Sequence, residues 1–251
     1  MDKPGFSKKP GLWRTGEMAM KAGASTGILK LLTRVVVVVA IVGVILFVSA
    51  GRADWPMAWV FLATYLACLV ITVLMTTRSS PELVAERAEF KPRPGVRNWD
   101  TILSTLFRLS FLGTVLVPGL DRRFTWTEPI LLAVQILALV IGVLGYGLVA
   151  WTMATNRFAT VYVRIQTERG HTAVTVGPYR FVRHPFYVGV ITLMLALPVA
   201  LGSLWGLIPA GLGVVMMIVK TALEDRMLQA ELDGYREYAQ RVRYRLLPGI
   251  W

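Results

Sequence analysis

Six apolar runs, separated by polar segments, dominate the sequence and predict its architecture. The runs hold 17 to 25 residues, and a helix of about 20 residues crosses the hydrocarbon core of a bilayer. The first run is rich in valine, but a segment in lipid must satisfy its backbone internally, which favours helix over strand. The pattern predicts an all-α integral membrane protein with about six transmembrane helices, at 31–50, 56–76, 101–120, 129–153, 185–201 and 204–220.

The polar segments divide the chain into three regions. Residues 1–27 form an N-terminal segment of mixed composition that we expect to be poorly ordered. Residues 28–153 hold the N-terminal transmembrane helices. Residues 154–251 combine a long polar stretch, the last two apolar runs and a polar tail, and the candidate chemistry lies in this region.

Three connections between the runs carry recognisable local signals. Residues 51–54, Gly-Arg-Ala-Asp, predict a tight turn. Residues 80–82, Ser-Pro-Glu, predict the start of a short interfacial helix within the polar loop 77–98. Gly202-Ser203 is so short a connection that the last two runs must form an antiparallel helical hairpin.

Basic residues are distributed very unevenly along a chain of net charge +12. Of the 27 Lys and Arg residues, 23 lie in segments on one side of the predicted membrane and 3 on the other. The positive-inside rule therefore predicts that both termini are cytoplasmic, and the distribution argues against nucleic-acid binding. Arg108 lies about two turns into the third run, from where its side chain can snorkel to the headgroups or serve a function inside the membrane.

Cysteine and histidine are too scarce for several classes of site. The only cysteine, Cys68, lies within an apolar run, so no disulfide framework or cysteine metal cluster is predicted. The chain has two histidines, which are too few for a self-contained zinc site.

The stretch 171–189, HTAVTVGPYRFVRHPFYVG, is the strongest candidate for a functional site. Pro185 suits the first position of a helix, which makes His184 the expected cap. The first turn of that helix would present free N–H groups beside Arg180 and Arg183, an arrangement that favours an anion. The stretch therefore predicts a pocket for an anionic group at the membrane surface, and the alternative is a basic loop with a capped helix.

A second polar cluster follows the last apolar run. Glu224-Asp225 stand near a helix end that disfavours negative charge, so another partner should favour them there. The alternative is an ion pair of Glu224 with Lys220 or Arg226. Tyr235 and Tyr238 share a helix face, either as pocket walls or as packing residues.

Together these segments resemble the isoprenylcysteine carboxyl methyltransferase family. Residues 183–189, RHPFYVG, resemble its RHPxYxG element, and HTAVTVGPY before it resembles H-x-L-V-T-x-G-x-Y. Residues 224–228, EDRML, resemble E-E-x-x-L, with Asp225 in place of the second Glu. The tail after Gly234 resembles G-x-x-Y-x-x-Y…P, with its first tyrosine offset. The resemblance covers about 155–251.

The resemblance implies a helical membrane enzyme that uses S-adenosylmethionine (AdoMet) in a cytoplasmic pocket. The start of the helix at Pro185, His184 and the nearby arginines would hold the AdoMet carboxylate. Glu224 would accept from the ammonium or the ribose, and tyrosine rings would face the adenine or the sulfonium. Arg183 would orient an anionic acceptor, and Arg183 and Glu224 are the expected catalytic residues. The expected cofactor-binding residues are Gln166, His171, Tyr179, His184, Pro185, Tyr187, Gly189, Glu224 and Tyr238.

Three other functions remain open at this point. Membrane sterol reductases, which use NADPH, share an R-H-P-x-Y-x-G-like element and a tail resembling YRLLPGIW. A phospholipid N-methyltransferase would use the same cofactor, and a non-catalytic lipid-binding membrane protein would explain the charge asymmetry. The expected partners are membrane lipids and a lipophilic or lipidated acceptor, which could be a prenylated protein, an isoprenoid acid, a small thiol or a lipid amine; no metal or nucleic acid is expected.

Overall fold

The computed structural model describes residues 11–79, 95–160 and 162–251, with side chains for 29–75, 95–160 and 162–251. In these ranges the chain forms seven α-helices, two short 3₁₀ turns and no strand. The all-α prediction is therefore confirmed. The helices are α1 Gly11–Ala50, α2 Pro56–Ser79, α3 Asn98–Phe124, α4 Leu132–Thr155, α5 Pro185–Ala200, α6 Leu207–Glu231 and α7 Tyr235–Arg241.

Five of the described helices are long and apolar enough to cross a membrane, which supports a multi-pass membrane protein. The remaining apolar helix, α5, has 16 residues and is about 24 Å long at 1.5 Å per residue. It forms the predicted hairpin with α6, and Gly202 makes the connection with a φ of 79°, a conformation that suits glycine. The six predicted runs therefore appear as five long helices and one short one.

Two boundaries differ from the sequence expectation. Helix α1 begins at Gly11, within the segment that was expected to be poorly ordered. Residues 11–28 include three Ala and two Met, which favour helix, beside four Gly, which do not. The interfacial helix expected from Ser80 lies outside the described residues.

Helix α5 lies in the middle of the bundle and packs against α3, α4 and α6. Its closest approach is to α4, where a Cβ placed on Gly189 would lie 2.5 Å from the carbonyl oxygen of Gly145. Only residues without a side chain allow two backbones to come so near. Gly189 therefore fixes how α5 crosses α4.

A buried carboxylate ties two connections together at one end of the bundle. Asp121 accepts hydrogen bonds from the Thr127 amide at 2.7 Å and from the hydroxyl of Ser203. Thr127 follows α3, whereas Ser203 lies in the turn between α5 and α6. This end also holds the turn after α1, where Arg52 pairs with Asp54, so the beginning of α3 and the end of α6 lie at the opposite end.

Replacing Gly189 with alanine tests the α4–α5 crossing. We expect Gly189→Ala to destabilise the protein by about 1–3 kcal/mol, because the added methyl group overlaps the backbone of α4. Gly147→Ala is the matched control, since this α4 glycine has nothing within 4 Å of an added Cβ and alanine favours helix. Thermal unfolding in detergent measures both, and equal midpoints for the two variants would contradict the proposed crossing.

Candidate functional site

A cavity of about 450 Å³ lies at the end of the bundle opposite Asp121. Its walls come from the beginning of α3, the end of α4, the beginning of α5 and the end of α6. The segment 156–184 and helix α7 complete it. Its volume falls within the range of sites for small molecules.

Seven of the ten residues predicted to form the site line this cavity. They come from the polar stretch, from α5, from α6 and from α7, so segments far apart in sequence meet here. The seven are His171, Tyr179, Arg183, His184, Tyr187, Glu224 and Tyr238.

The other three predicted residues are buried but do not line the cavity. Gln166 donates from Nε2 to the carbonyl of Phe158 at 2.7 Å and accepts from Arg169 at 2.6 Å. It therefore holds the polar stretch in a closed loop. Pro185 is the first residue of α5, as predicted, and Gly189 lies against α4.

Asp225, beside the predicted Glu224, is the most highly connected carboxylate of the site. It is fully buried and accepts from Arg183 Nε at 2.7 Å and from Arg245 Nε at 2.8 Å. Tyr235 also donates to it at 3.2 Å, and Gln229 at 2.7 Å. One carboxylate thus joins α6 to the polar stretch, to α7 and to the tail.

All three nitrogens of the Arg183 guanidinium donate to acceptors of the protein itself. Nε and Nη2 donate to the two oxygens of Asp225, at 2.7 and 3.1 Å. Nη1 donates to the carbonyls of Val242 and Arg243, at 2.9 and 2.8 Å. The side chain is buried. Through these hydrogen bonds Arg183 connects α6 to the chain that follows α7.

His184 occupies the predicted cap position of α5 but makes no side-chain capping hydrogen bond. Its ring instead stacks on Tyr187, with centroids 5.8 Å apart. Its Nε2 lies 3.4 Å from Asp225 Oδ1 and 3.5 Å from the Tyr235 hydroxyl. The imidazole is thereby fixed at the cavity wall by neighbours from α5, α6 and α7.

Glu224 accepts a short hydrogen bond from the Tyr187 hydroxyl and lines the cavity. Lys220, which the sequence offered as its ion-pair partner, pairs with Asp100 of α3 at 2.5 Å. Lys220 also donates to Ser104 at 2.8 Å. The second oxygen of Asp100 accepts from the Val163 amide at 2.8 Å, so α3, α6 and the polar stretch meet at this carboxylate.

The loop held by Gln166 places His171 against the cavity. The His171 ring packs on Phe158 with ring centroids 4.4 Å apart. The backbone N–H of Gln166 donates to His171 Nδ1 at 3.3 Å. Burial, together with Arg164 and Arg169, lowers the pKa of His171 to about 4. The ring is therefore neutral near pH 7, and because Nδ1 faces an N–H donor, its proton belongs on Nε2.

Three tyrosines around the cavity keep their protons. Burial raises the pKa of Tyr179, of Tyr235 and of Tyr238. Asn156 donates to the Tyr179 hydroxyl at 2.8 Å, and Tyr238 donates to the Tyr179 carbonyl at 2.8 Å. These contacts fix the aromatic rings as walls of the cavity.

Sequence reasoning did not assign a site role to Asp225, Asp100, Asn156 or Tyr162. Only Asp225 carried a signal, since it stands inside the motif that named its neighbour. Asp100 lies near the start of α3 and Asn156 directly after the end of α4. Neither belongs to a recognisable motif, and their hydrogen-bond partners come from distant segments. Within the described residues, no three His, Cys, Asp or Glu side chains gather as metal ligands.

Most of the residues that line the cavity lie in a sequence region that matches a known protein family. Residues 133–232 match the model of the phospholipid methyltransferase family. The cobalt-zinc-cadmium resistance protein CzcN of Cupriavidus metallidurans is 32% identical over 120 residues. That alignment covers 47% of this chain and 49% of the relative, so the chain spans about half the length of the curated relative it matches.

The matched region contains the polar stretch 171–189, both helices of the hairpin and Glu224-Asp225. The matched family is one of methyltransferases. The resemblance predicted from the motifs is thereby confirmed, because residues 133–232 resemble the phospholipid methyltransferases, which belong to the isoprenylcysteine carboxyl methyltransferase-like family of membrane methyltransferases.

Proposed function

We propose that this protein is an AdoMet-dependent methyltransferase that modifies a lipophilic acceptor at the membrane surface. The observation that carries the proposal is the cavity of about 450 Å³, which gathers seven predicted site residues from four segments. The family match over residues 133–232 supports the same reaction class.

The residues around the cavity fit the chemical groups of AdoMet. Glu224 offers a carboxylate to the ammonium or to a ribose hydroxyl. Tyr179 and Tyr187 offer aromatic faces, which attract a cation such as a sulfonium and can also stack on adenine. His171 also lines the cavity and offers an N–H donor, since its proton belongs on Nε2.

AdoMet, when bound, supplies a methyl group that is activated for transfer to a nucleophile. The protein then needs to align the nucleophile and to exclude water. A carboxylate or thiolate acceptor needs no general base, whereas an amine acceptor must lose a proton. We assign that proton to Glu224, a carboxylate among the residues that line the cavity. The match to phospholipid methyltransferases favours a lipid amine as the second candidate acceptor.

We propose further that the cavity and both termini are cytoplasmic. The cavity shares its end of the bundle with the beginning of α3 and the end of α6, and 23 of the 27 basic residues lie in segments assigned to that side. The positive-inside rule assigns such a side to the cytoplasm.

Arg183 acts in this proposal as a positioning residue, and not through the acceptor contact expected from the motif. Its guanidinium holds Asp225 and the carbonyls of Val242 and Arg243. Those bonds fix the segment that carries Tyr235 and Tyr238 against the cavity. Lysine cannot reproduce this fork of donors.

AdoMet binding by purified protein is the direct test of the proposed function. We expect Glu224→Gln to weaken AdoMet affinity on the order of tenfold or more, the cost of losing a hydrogen bond to a charged group. Glu237→Gln is the matched control, because Glu237 is exposed on α7. Calorimetry with AdoMet and with NADPH in parallel measures both, and binding of NADPH alone would support the reductase alternative.

Arg183→Lys tests the positioning role. We expect it to lower the free energy of unfolding by about 2–4 kcal/mol, because the buried Asp225 loses part of its compensation. The exposed Arg180 provides the control Arg180→Lys. Thermal unfolding compares the two variants, and an Arg183→Lys protein with normal stability and AdoMet affinity but tenfold slower methyl transfer would favour acceptor contact instead.

His171 predicts a pH dependence of stability. Its pKa is about 4 in the fold against an ordinary value of 6.5, so the unfolded chain binds the proton more tightly. The contribution is fully present above about pH 6.5 and is lost as the pH falls towards 4. We expect His171→Gln to show a shallower fall in unfolding midpoint over this range than the parent protein, and parallel curves would refute the assignment.

A further inference from the structure

Four basic side chains line the cavity, and three of them have an acidic partner. Arg183 pairs with Asp225, Lys220 with Asp100 and Arg164 with Glu168. The fourth, Arg108, donates from Nη2 to the Tyr162 hydroxyl at 3.1 Å and lies over the same ring. In the described part of the chain, no carboxylate lies within ion-pair distance of Arg108.

Arg108 occupies an unusual place for a charged residue. It is the eleventh residue of α3, which begins at Asn98, and is therefore about 15 Å along the helix from its start. Its side chain is exposed, as are its neighbours Leu106 and Leu109. A guanidinium at this depth beside apolar residues is costly without an anion or water, and marks a candidate functional residue.

The cavity wall next to Arg108 is apolar. Phe107 of α3, Phe186 and Val190 of α5 and Met217 of α6 line it. Helix α5 packs against both α3 and α4, which share little direct contact with each other. An apolar chain that reaches the cavity from the bilayer on this side would therefore pass between α3 and α4, in front of α5.

We propose that Arg108 and Tyr162 hold the anionic group of an amphiphilic acceptor that enters from the membrane between α3 and α4. The Tyr162 hydroxyl accepts one N–H of Arg108 Nη2. The second N–H of Nη2 remains, together with Nε or with Nη1, as a two-donor edge of the guanidinium that can bind an anion. The apolar tail then lies along Phe107, Phe186 and Val190. This inference rests on the proposed function and narrows it to acceptors that pair a long apolar chain with an anionic group, a carboxylate or a phosphate, which a guanidinium can hold.

The test uses two photoreactive probes that differ only in charge. Palmitic acid carrying a diazirine in its chain, and the methyl ester of the same acid, are added to the purified 251-residue protein in phosphatidylcholine nanodiscs at alkaline pH. We expect the acid to label α3 and α5 about tenfold more than the ester, as the loss of a charge-assisted hydrogen-bond pair would predict.

Substitutions then assign the preference to Arg108. Arg108→Gln is expected to remove the preference for the acid while leaving labelling by the ester unchanged, and Arg108→Lys to retain only part of it. Arg123→Gln is the matched control, because Arg123 is also an exposed arginine of α3 that lies over an aromatic ring, at the other end of the helix. Tyr162→Phe removes only the hydroxyl, and provides a milder variant with an expected loss of about threefold.

AdoMet affinity, measured by calorimetry on the same samples, separates this inference from the proposed function. Equal labelling by acid and ester in the parent protein, or an unchanged preference in folded Arg108→Gln, would overturn the acceptor site even if AdoMet binds. A preference for the acid that depends on Arg108 would support the site even if AdoMet does not bind, and would then leave the methyltransferase proposal as the one that failed.

Discussion

A buried carboxylate sets the main constraint on this end of the molecule. Asp225 has no exposed surface, and an isolated charge in such a place would cost several kcal/mol. Its compensation comes from Arg183 ahead of α5, from Tyr235 at the start of α7 and from Arg245 in the tail. The polar stretch, α6, α7 and the tail are thus held together by one buried charge.

Asp100 has a comparable role at the edge of the same cavity. It joins α3 to α6 through Lys220 and binds the polar stretch through the amide of Val163. Between them, the two aspartates fix the framework, while Glu224 faces the cavity with a neutral hydroxyl partner. Of these three acidic residues at the cavity, Asp100 and Asp225 therefore stabilise the structure, and Glu224 is available to bind a ligand.

Hydropathy predicted the helices well, because the length and apolarity of a span follow directly from the bilayer. The hairpin and the start of α5 at Pro185 were also predictable, since both depend on neighbours in sequence. The partners of Lys220 and Arg183 were not, because Asp100 and Asp225 lie 120 and 42 residues away. The sequence predicted seven of the residues that line the cavity. It did not predict which of these residues form ion pairs or hydrogen bonds with other residues of the protein.

The glycine at the crossing of α4 and α5 belongs to the RHPFYVG element, and its role shows that part of this element is structural. Gly189 makes room for a neighbouring backbone, Pro185 starts a helix and Arg183 holds a distant segment. Three of the seven residues in this element thus determine how a short helix packs in the bundle, and these roles do not depend on the reaction. A protein with a different reaction that packs a short helix in the same way would need the same residues at these positions. The element therefore indicates a shared architecture, which enzymes with different cofactors can have in common.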